Sequence, residues 1–276
     1  RHIVLAVNKI DLVGFDRAVF ERIEQDYRAF AAGLGFVSIA AIPISARFGD
    51  NVTARSSHTP WYEGPTLVGH LETVEVDSAA AELPFRFPVQ YVSRPHPDFR
   101  GFAGTVASGS IARGEEVVVA KSGRTTRIRR IVTQDGDLER ASAGQAVTIL
   151  LEDEVEVSRG NMLVPPTARP HVADQFAANV VWFGEEPLLA GRSYVLRTGT
   201  DATDATVTAL RHRIDVNDLR EEPAKTLELN GVGVCTIATR APIAFDAFGQ
   251  NRSTGAFILI DRMTNATVGA GMILHP

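Results

Sequence analysis

Three polar residues near the start of the chain have the types and spacing needed to recognise a purine base. Asn8, Lys9 and Asp11 directly follow the apolar run Ile3–Val7. Guanine presents two adjacent donors, its N1–H and its exocyclic amine, and one carboxylate can accept both, so Asp11 is the predicted reader of the base. The Asn8 amide can bond the base edge and tie down neighbouring loops, while the aliphatic stem of Lys9 can lie over the ring face.

A second segment supports this interpretation, because a four-letter motif alone recurs by chance. Ser45 and Ala46 come at the end of the next apolar run, Phe36–Ser45, where the Ala46 amide can bond guanine O6. Ligands of α/β sheets bind beyond the carboxyl ends of the strands, where both segments lie. The alternative is a solvated polar loop. We predict a guanine site formed by Asn8, Lys9, Asp11, Ser45 and Ala46.

The sequence contains no segment suited to holding the phosphates of a nucleotide. A GxxxxGK[ST] loop, which wraps backbone amides around phosphate and holds Mg²⁺, is absent. Asp11–Gly14 and Asp98–Gly101 match DxxG by letters only, and we interpret both as turns. We therefore expect the C-terminal part of a P-loop-type G domain, with Mg²⁺ bound only when the missing N-terminal half is present. No catalytic residue and no metal ligand is predicted in this chain, and His96 with Asp98 does not form a metal motif.

An α/β arrangement must position these loops. Ile3–Val7 and Phe36–Ser45 are typical of strands buried on both faces. The helix predicted between them, from about Asp16 to Leu34, begins at the Asp16 cap and places one set of apolar residues on a single face: Phe20, Ile23, Tyr27, Phe30, Ala31 and Leu34. A strand–helix–strand unit implies a parallel sheet.

A second helix is predicted to begin at Gly64-Pro65 and to carry Leu67, Leu71 and Val74 inward. Trp61 and Tyr62, just before it, are interpreted as packing residues.

The pattern changes to successive strands after residue 83. Phe85, Phe87, Val89 and Tyr91 alternate with polar residues that include Arg86, which is the period of a half-buried strand. Turns are predicted at Ser108–Glu116, Lys121–Arg124 and Gln134–Asp137, and a proline-marked linker at Leu163–Asp174. The predicted fold is therefore multi-domain, α/β plus all-β: the partial G domain at 1–83, then antiparallel β-barrels at 84–168 and 169–276.

Composition narrows the class of protein. The 276 residues carry a formal net charge of −5 and a pI of about 5.8, which argues against a broad nucleic-acid surface. No apolar run approaches the length of a membrane span, and the single cysteine, Cys235, allows no internal disulfide and is predicted to be a small buried residue. We expect a cytoplasmic protein.

The cluster Arg124, Arg127, Arg129 and Arg130 is interpreted as a solvated strand face.

Several long stretches resemble a known family. "FAGTVASGSIARGEEVVV" (Phe102–Val119), behind an NKxD–SA segment, is similar to the second domain of elongation factors of the Tu type. "TPWYEGPTLVGHLETV" (Thr59–Val74), "FRFPVQYVSRPHPDFRGFAGTVASG" (Phe85–Gly109) and "GAFILIDRMTNATVGAGMI" (Gly255–Ile273) resemble the GTPase (large) subunit of bacterial sulfate adenylyltransferase. The resemblance runs essentially from end to end.

This resemblance implies a GTP/GDP-binding subunit whose partner is a small catalytic adenylyltransferase subunit. GTP hydrolysis would drive the formation of adenosine 5′-phosphosulfate and pyrophosphate from ATP and sulfate on that partner. An adenylylsulfate kinase, fused or associated, is a further expected partner, whereas nucleic acid and membrane are not. The alternatives are a translation-type GTPase that binds aminoacyl-tRNA and a non-catalytic barrel scaffold. We expect no GTP hydrolysis from these residues alone.

Overall fold

The computed structural model describes residues 2–74 and 79–276, and the chain divides into two compact units, residues 1–77 and 78–276. The predicted passage from the second helix to the first barrel runs through residues 75–78, outside the described residues. The α/β segment followed by antiparallel barrels is confirmed. Within the described residues, no helix combines the length and apolar character required to cross a bilayer.

The first unit is built on two parallel strands. β1 (His2–Val7) pairs with β2 (Ser38–Pro43), in a register that sets Val7 opposite Pro43. α1 (Arg17–Ala31) connects them, and the Asp16 carboxylate caps it by accepting the amides of Ala18 and Val19, as predicted. A 3₁₀ helix, Ile10–Val13, and α2 (Leu67–Thr73) complete the unit.

Two details of these helices were predicted wrongly. α1 ends at Ala31, before Leu34, and its predicted inward face is only partly covered: Phe20 and Ala31 are buried, but Phe30 is 49% exposed. α2 begins two residues later than expected, with the Thr66 hydroxyl as its cap, and Leu71 is 58% exposed. Within the described residues the sheet of this unit has two strands, so the apolar surface that α1 packs against is narrower than its apolar face.

The second unit opens with α3 (Ala79–Glu82) and a first six-stranded barrel. Its strands, with three short pieces, are β3 (Phe87–Ser93), β4 (Gly101–Thr105), β5 (Ser110–Ala112), β6 (Glu116–Val119), β7 (Thr125–Thr133), β8 (Gly136–Leu138), β9 (Arg140–Ser142), β10 (Ala146–Leu151) and β11 (Met162–Val164). The ring runs β10-β4-β3-β11-β6-β7 and closes from β7 onto β10. The predicted turns at Lys121–Arg124 and Gln134–Asp137 are present, with Gly123 and Gly136 at positive φ, but the range Ser108–Glu116 contains β5 and only a short turn at residues 113–114.

A second barrel of six strands follows. The elements are β12 (His171–Trp182), β13 (Leu188–Leu189), β14 (Ser193–Thr198), β15 (Asp201–Ile214), β16 (Glu221–Glu222), β17 (Thr226–Leu227), β18 (Val232–Phe245), β19 (Ala256–Ile260) and β20 (Thr267–His275). The ring β14-β19-β20-β12-β18-β15 closes from β15 onto β14. Trp182 and Tyr194 meet edge to face in its core, and Cys235 is fully buried there, as predicted.

Three sequence-based expectations for the barrels were wrong. The linker is shorter than Leu163–Asp174, since Leu163 and Val164 are buried in β11 and β12 starts at His171. Arg86, assigned to the polar face of its strand, is 3% exposed. Tyr91 is 65% exposed, because a register shift between Val89 and Tyr91 turns the end of β3 over.

Candidate guanine-binding loops

Parallel pairing brings the two predicted loops to the same edge of the sheet. β1 and β2 end side by side, and the Ile44 amide donates to the Val7 carbonyl at 2.9 Å. The Ile10 amide then donates to the Ile44 carbonyl at 3.3 Å, which continues the contact beyond the strands. The segments that follow each strand are therefore neighbours at the carboxyl end, the position where α/β sheets bind ligands.

The Asn8 side chain joins the two loops. Its Oδ1 accepts the Lys9 amide at 2.8 Å and the Ala46 amide at 3.1 Å. The predicted tie between the loops is thus present as a hydrogen bond across 38 residues of sequence. The Ala46 amide that makes it is the same group that the sequence assigns to guanine O6.

Lys9 holds an unusual backbone conformation at the start of the first loop. Its φ is 65° and its ψ is 30°, in the left-handed region that non-glycine residues rarely adopt. Such a conformation costs roughly 1–2 kcal/mol and persists where the surrounding contacts impose it. The Leu12 amide donates to the Lys9 carbonyl at 3.0 Å, which closes the turn. The Lys9 side chain is exposed.

Asp11 lies in the 3₁₀ helix and is half-buried. Its backbone carbonyl accepts the Gly14 amide at 3.1 Å. In the part of the chain that the structure describes, no amide or side chain donates to the Asp11 carboxylate. Both carboxylate oxygens therefore keep their accepting capacity for a ligand with two adjacent donors.

Ser45 organises the second loop from beneath. It is fully buried, and its carbonyl accepts the Gly49 amide at 2.7 Å while its own amide donates to the Asp50 carbonyl at 3.2 Å. Its hydroxyl accepts the Phe48 amide at a long 3.4 Å. These contacts shape the turn that presents Ala46.

Sequence reasoning missed the residue that holds the segment beyond this turn. Asn51 is 1% exposed, and its Nδ2 donates to the Pro43 carbonyl and to the Thr59 hydroxyl, both at 2.8 Å. Its Oδ1 accepts the Ser56 amide at 2.8 Å, and its φ is 54°. The signal in the sequence was the run Gly-Asp-Asn after the Ser-Ala pair, because Asn tolerates the left-handed region and bonds nearby backbone.

Trp61 and Tyr62 pack inside the first unit, as interpreted from the sequence. Both rings contact Phe20, with centroids 5.5 and 6.1 Å away. The Trp61 Nε1–H donates to the Phe15 carbonyl at 3.2 Å, and the Tyr62 hydroxyl donates to the Ala41 carbonyl at 3.2 Å. In residues 2–74 and 79–276, no three His, Cys, Asp or Glu side chains come together as metal ligands would.

Known proteins resemble this chain over its whole length. Residues 175–274 match the family described as GTP-eEF1A C-terminal domain-like. The bifunctional enzyme NodQ of Rhizobium sp. (strain N33) is 71% identical over 275 residues, which is 100% of this chain and 43% of that protein. Sulfate adenylyltransferase subunit 1 of Shewanella woodyi is 48% identical over 276 residues, 100% of this chain and 59% of its own length. The chain is a homologue of sulfate adenylyltransferase subunit 1 and of NodQ.

This homologue of sulfate adenylyltransferase subunit 1 spans about half the length of the curated relatives it matches. Among solved structures, sup35 complexed with GMPPNP matches with a TM-score of 0.66 and 22% identity, over 99% of this chain and 69% of that one. That likeness concerns the fold alone.

Proposed function

We propose that this chain is the guanine-recognising and barrel-bearing part of a cytoplasmic GTP-binding subunit that serves sulfate activation. A small adenylyltransferase subunit would join ATP and sulfate into adenosine 5′-phosphosulfate and release pyrophosphate. The formation of this mixed anhydride has a strongly unfavourable free energy. The hydrolysis of bound GTP would supply the free energy that drives it. The names of the homologues support the pathway, and one of them is called bifunctional.

One hydrogen bond is the main support for the proposed guanine site. The Asn8 Oδ1 bond to the Ala46 amide holds the first loop against the second at the carboxyl ends of β1 and β2. Asp11 would accept the N1–H and the amine of guanine, and Lys9 would cover the ring. The Ala46 amide, which donates to Asn8 Oδ1, would donate to guanine O6 as well or instead. Mg²⁺ and the phosphates would be held by segments outside this chain.

Coupling requires that GTP and GDP favour different arrangements of the complete protein, since a nucleotide with equal affinity for both shifts nothing. The barrels would transmit that difference to the adenylyltransferase subunit. An adenylylsulfate kinase, fused or associated, would consume the product.

The test uses the complete reading frame, co-expressed with the adenylyltransferase subunit. Pyrophosphate release from ATP and sulfate is followed with no added nucleotide, with GTP and with XTP, in the wild type and in Asp11→Asn. Xanthine carries a carbonyl where guanine has its amine, so an Asn amide can donate to xanthine but repels guanine. We expect Asp11→Asn to lower the response to GTP by about tenfold or more and to gain a response to XTP. Release that ignores GTP in the wild type would refute the proposal.

A further inference from the structure

A set of side-chain contacts outside the predicted motif connects the two guanine loops a second time. It consists of Phe15, Asp50, Ser56 and His58, all within the first unit. Phe15 follows the loop that carries Asp11, and Asp50 closes the turn that carries Ala46. His58 lies on the connection beyond that turn and contacts both.

Asp50 anchors this set to the second loop. Its backbone carbonyl accepts the Ser45 amide at 3.2 Å. Its side chain is 9% exposed, and Oδ1 accepts the Ser56 hydroxyl at 2.5 Å and the His58 Nδ1–H at 3.0 Å. Oδ2 is buried without a hydrogen-bond partner among the described residues, so the carboxylate depends on those two donors. The Ser56 hydrogen bond lowers the pKa of Asp50, which keeps it ionised.

Phe15 anchors the set to the first loop. Its ring stacks on the His58 ring, with centroids 4.7 Å apart and planes 28° apart. Its amide donates to the Ile10 carbonyl at 2.9 Å, and its φ of 57° is in the left-handed region. Phe15 therefore closes the turn that contains Asp11, and a contact that fixes Phe15 also restricts Asp11.

We propose that His58 is a positioning residue that holds the Asp11 loop in register with the Ala46 loop and so sharpens the selection of guanine over hypoxanthine. This inference rests on the proposed guanine site. Hypoxanthine lacks the exocyclic amine, so discrimination between GDP and IDP reports whether Asp11 receives its second hydrogen bond. His58 is 61% exposed, so its replacement leaves the core intact.

The two contacts of His58 can be separated by substitution. His58→Phe keeps a ring against Phe15 and loses the hydrogen bond to Asp50. His58→Asn keeps a donor for Asp50 and loses the stacking. His58→Ala loses both, and Ser57→Ala, at the exposed neighbouring position, is the matched control.

The experiment measures the dissociation constants of GDP and IDP for the full-length protein and each variant. We expect His58→Ala to reduce the preference for GDP over IDP by about threefold to tenfold, the effect of one hydrogen bond at a partly exposed site, with smaller losses in His58→Phe and His58→Asn. Ser57→Ala should keep the wild-type ratio. A purely structural role would lower the unfolding temperature without changing this ratio.

Asp11→Asn, measured in the same series, separates the two proposals. If it loses its preference for GDP while His58→Ala keeps the wild-type ratio, the guanine site stands and the role of His58 is overturned. If Asp11→Asn binds GDP and IDP as the wild type does, the guanine site itself fails.

Discussion

Arg86 and Asp246 form a two-pronged ion pair between the barrels, although 160 residues separate them in the sequence. Nε donates to Oδ2 at 2.9 Å and Nη2 donates to Oδ1 at 2.8 Å. Arg86 Nη1 donates to the Ala168 carbonyl at 2.8 Å, and the Thr254 hydroxyl donates to Asp246 at 2.6 Å. Both charges are buried, with 4% and 10% of their side chains exposed. Their hydrogen bonds fix the orientation of the two barrels relative to each other.

Removing one partner of this pair should destabilise the second unit strongly. Arg86→Ala leaves the Asp246 carboxylate buried without its counter-charge, and we expect a loss of about 3–5 kcal/mol in the free energy of unfolding. Urea titration of the chain measures it. Arg130→Ala is the matched control, because Arg130 makes a similar two-pronged pair with Asp137 at an exposed position. Equal effects of the two substitutions would contradict the assigned role of burial.

Asn51→Ala should loosen the loop behind the guanine site. The substitution removes three hydrogen bonds at a buried position and places Ala at a φ of 54°. We expect hydrogen–deuterium exchange in peptides from 44–67 to accelerate by about tenfold or more, since each unsatisfied buried group costs about 1–3 kcal/mol.

Asn265→Ala controls for backbone strain in that experiment. Asn265 has a φ of 57° but is exposed. Faster exchange around Asn265 alone, with 44–67 unaffected by Asn51→Ala, would show that the buried hydrogen bonds do not hold the loop.

Cys235 should make stability fall in alkali. Burial raises the pKa of its thiol from 9.0 to about 12. The folded chain keeps this proton after the unfolded chain has released it, so the contribution is present below pH 9 and is lost as pH rises from 9 towards 12. Between pH 8 and pH 10, the free-energy difference between wild type and Cys235→Ala should fall by about 1 kcal/mol. Urea unfolding of both proteins at pH 8 and pH 10 measures this difference in the free energy of unfolding. The same difference at the two pH values would exclude the effect.

Local patterns predicted the first unit well because its signals are local. The apolar run of β1 and the Asp16 cap both act on backbone within a few residues of themselves. The exposed arginines Arg127 and Arg129 likewise follow from alternation along β7, and Arg124 is exposed just before that strand begins. Periodicity indicates which residues share a face of a strand. Where one of the two faces is solvated, that is enough to predict which side chains are exposed.

Arg86 shows where that reasoning ends. Alternation assigned it to water, but the second face of its segment is covered by groups that lie near Ala168 and Asp246 in the sequence. Nothing near Arg86 encodes that contact. Asn51, Asp50 and His58 were missed for a related reason: they lie in an irregular segment without periodicity, and their roles depend on hydrogen bonds that only the folded loop creates.

Closure of the two rings has a consequence for handling this segment of the protein. Each strand of a closed ring has a neighbour on both sides, so its backbone offers no template for another chain. β1 and β2 differ, because within the described residues each has a single partner, and apolar side chains such as Val37 and Leu12, 71% and 74% exposed, lie close to them in the sequence. Among the described residues, β1 and β2 are therefore the strands longer than three residues that keep an unpaired backbone edge, whereas the singly paired strands beside the rings offer only two or three residues each.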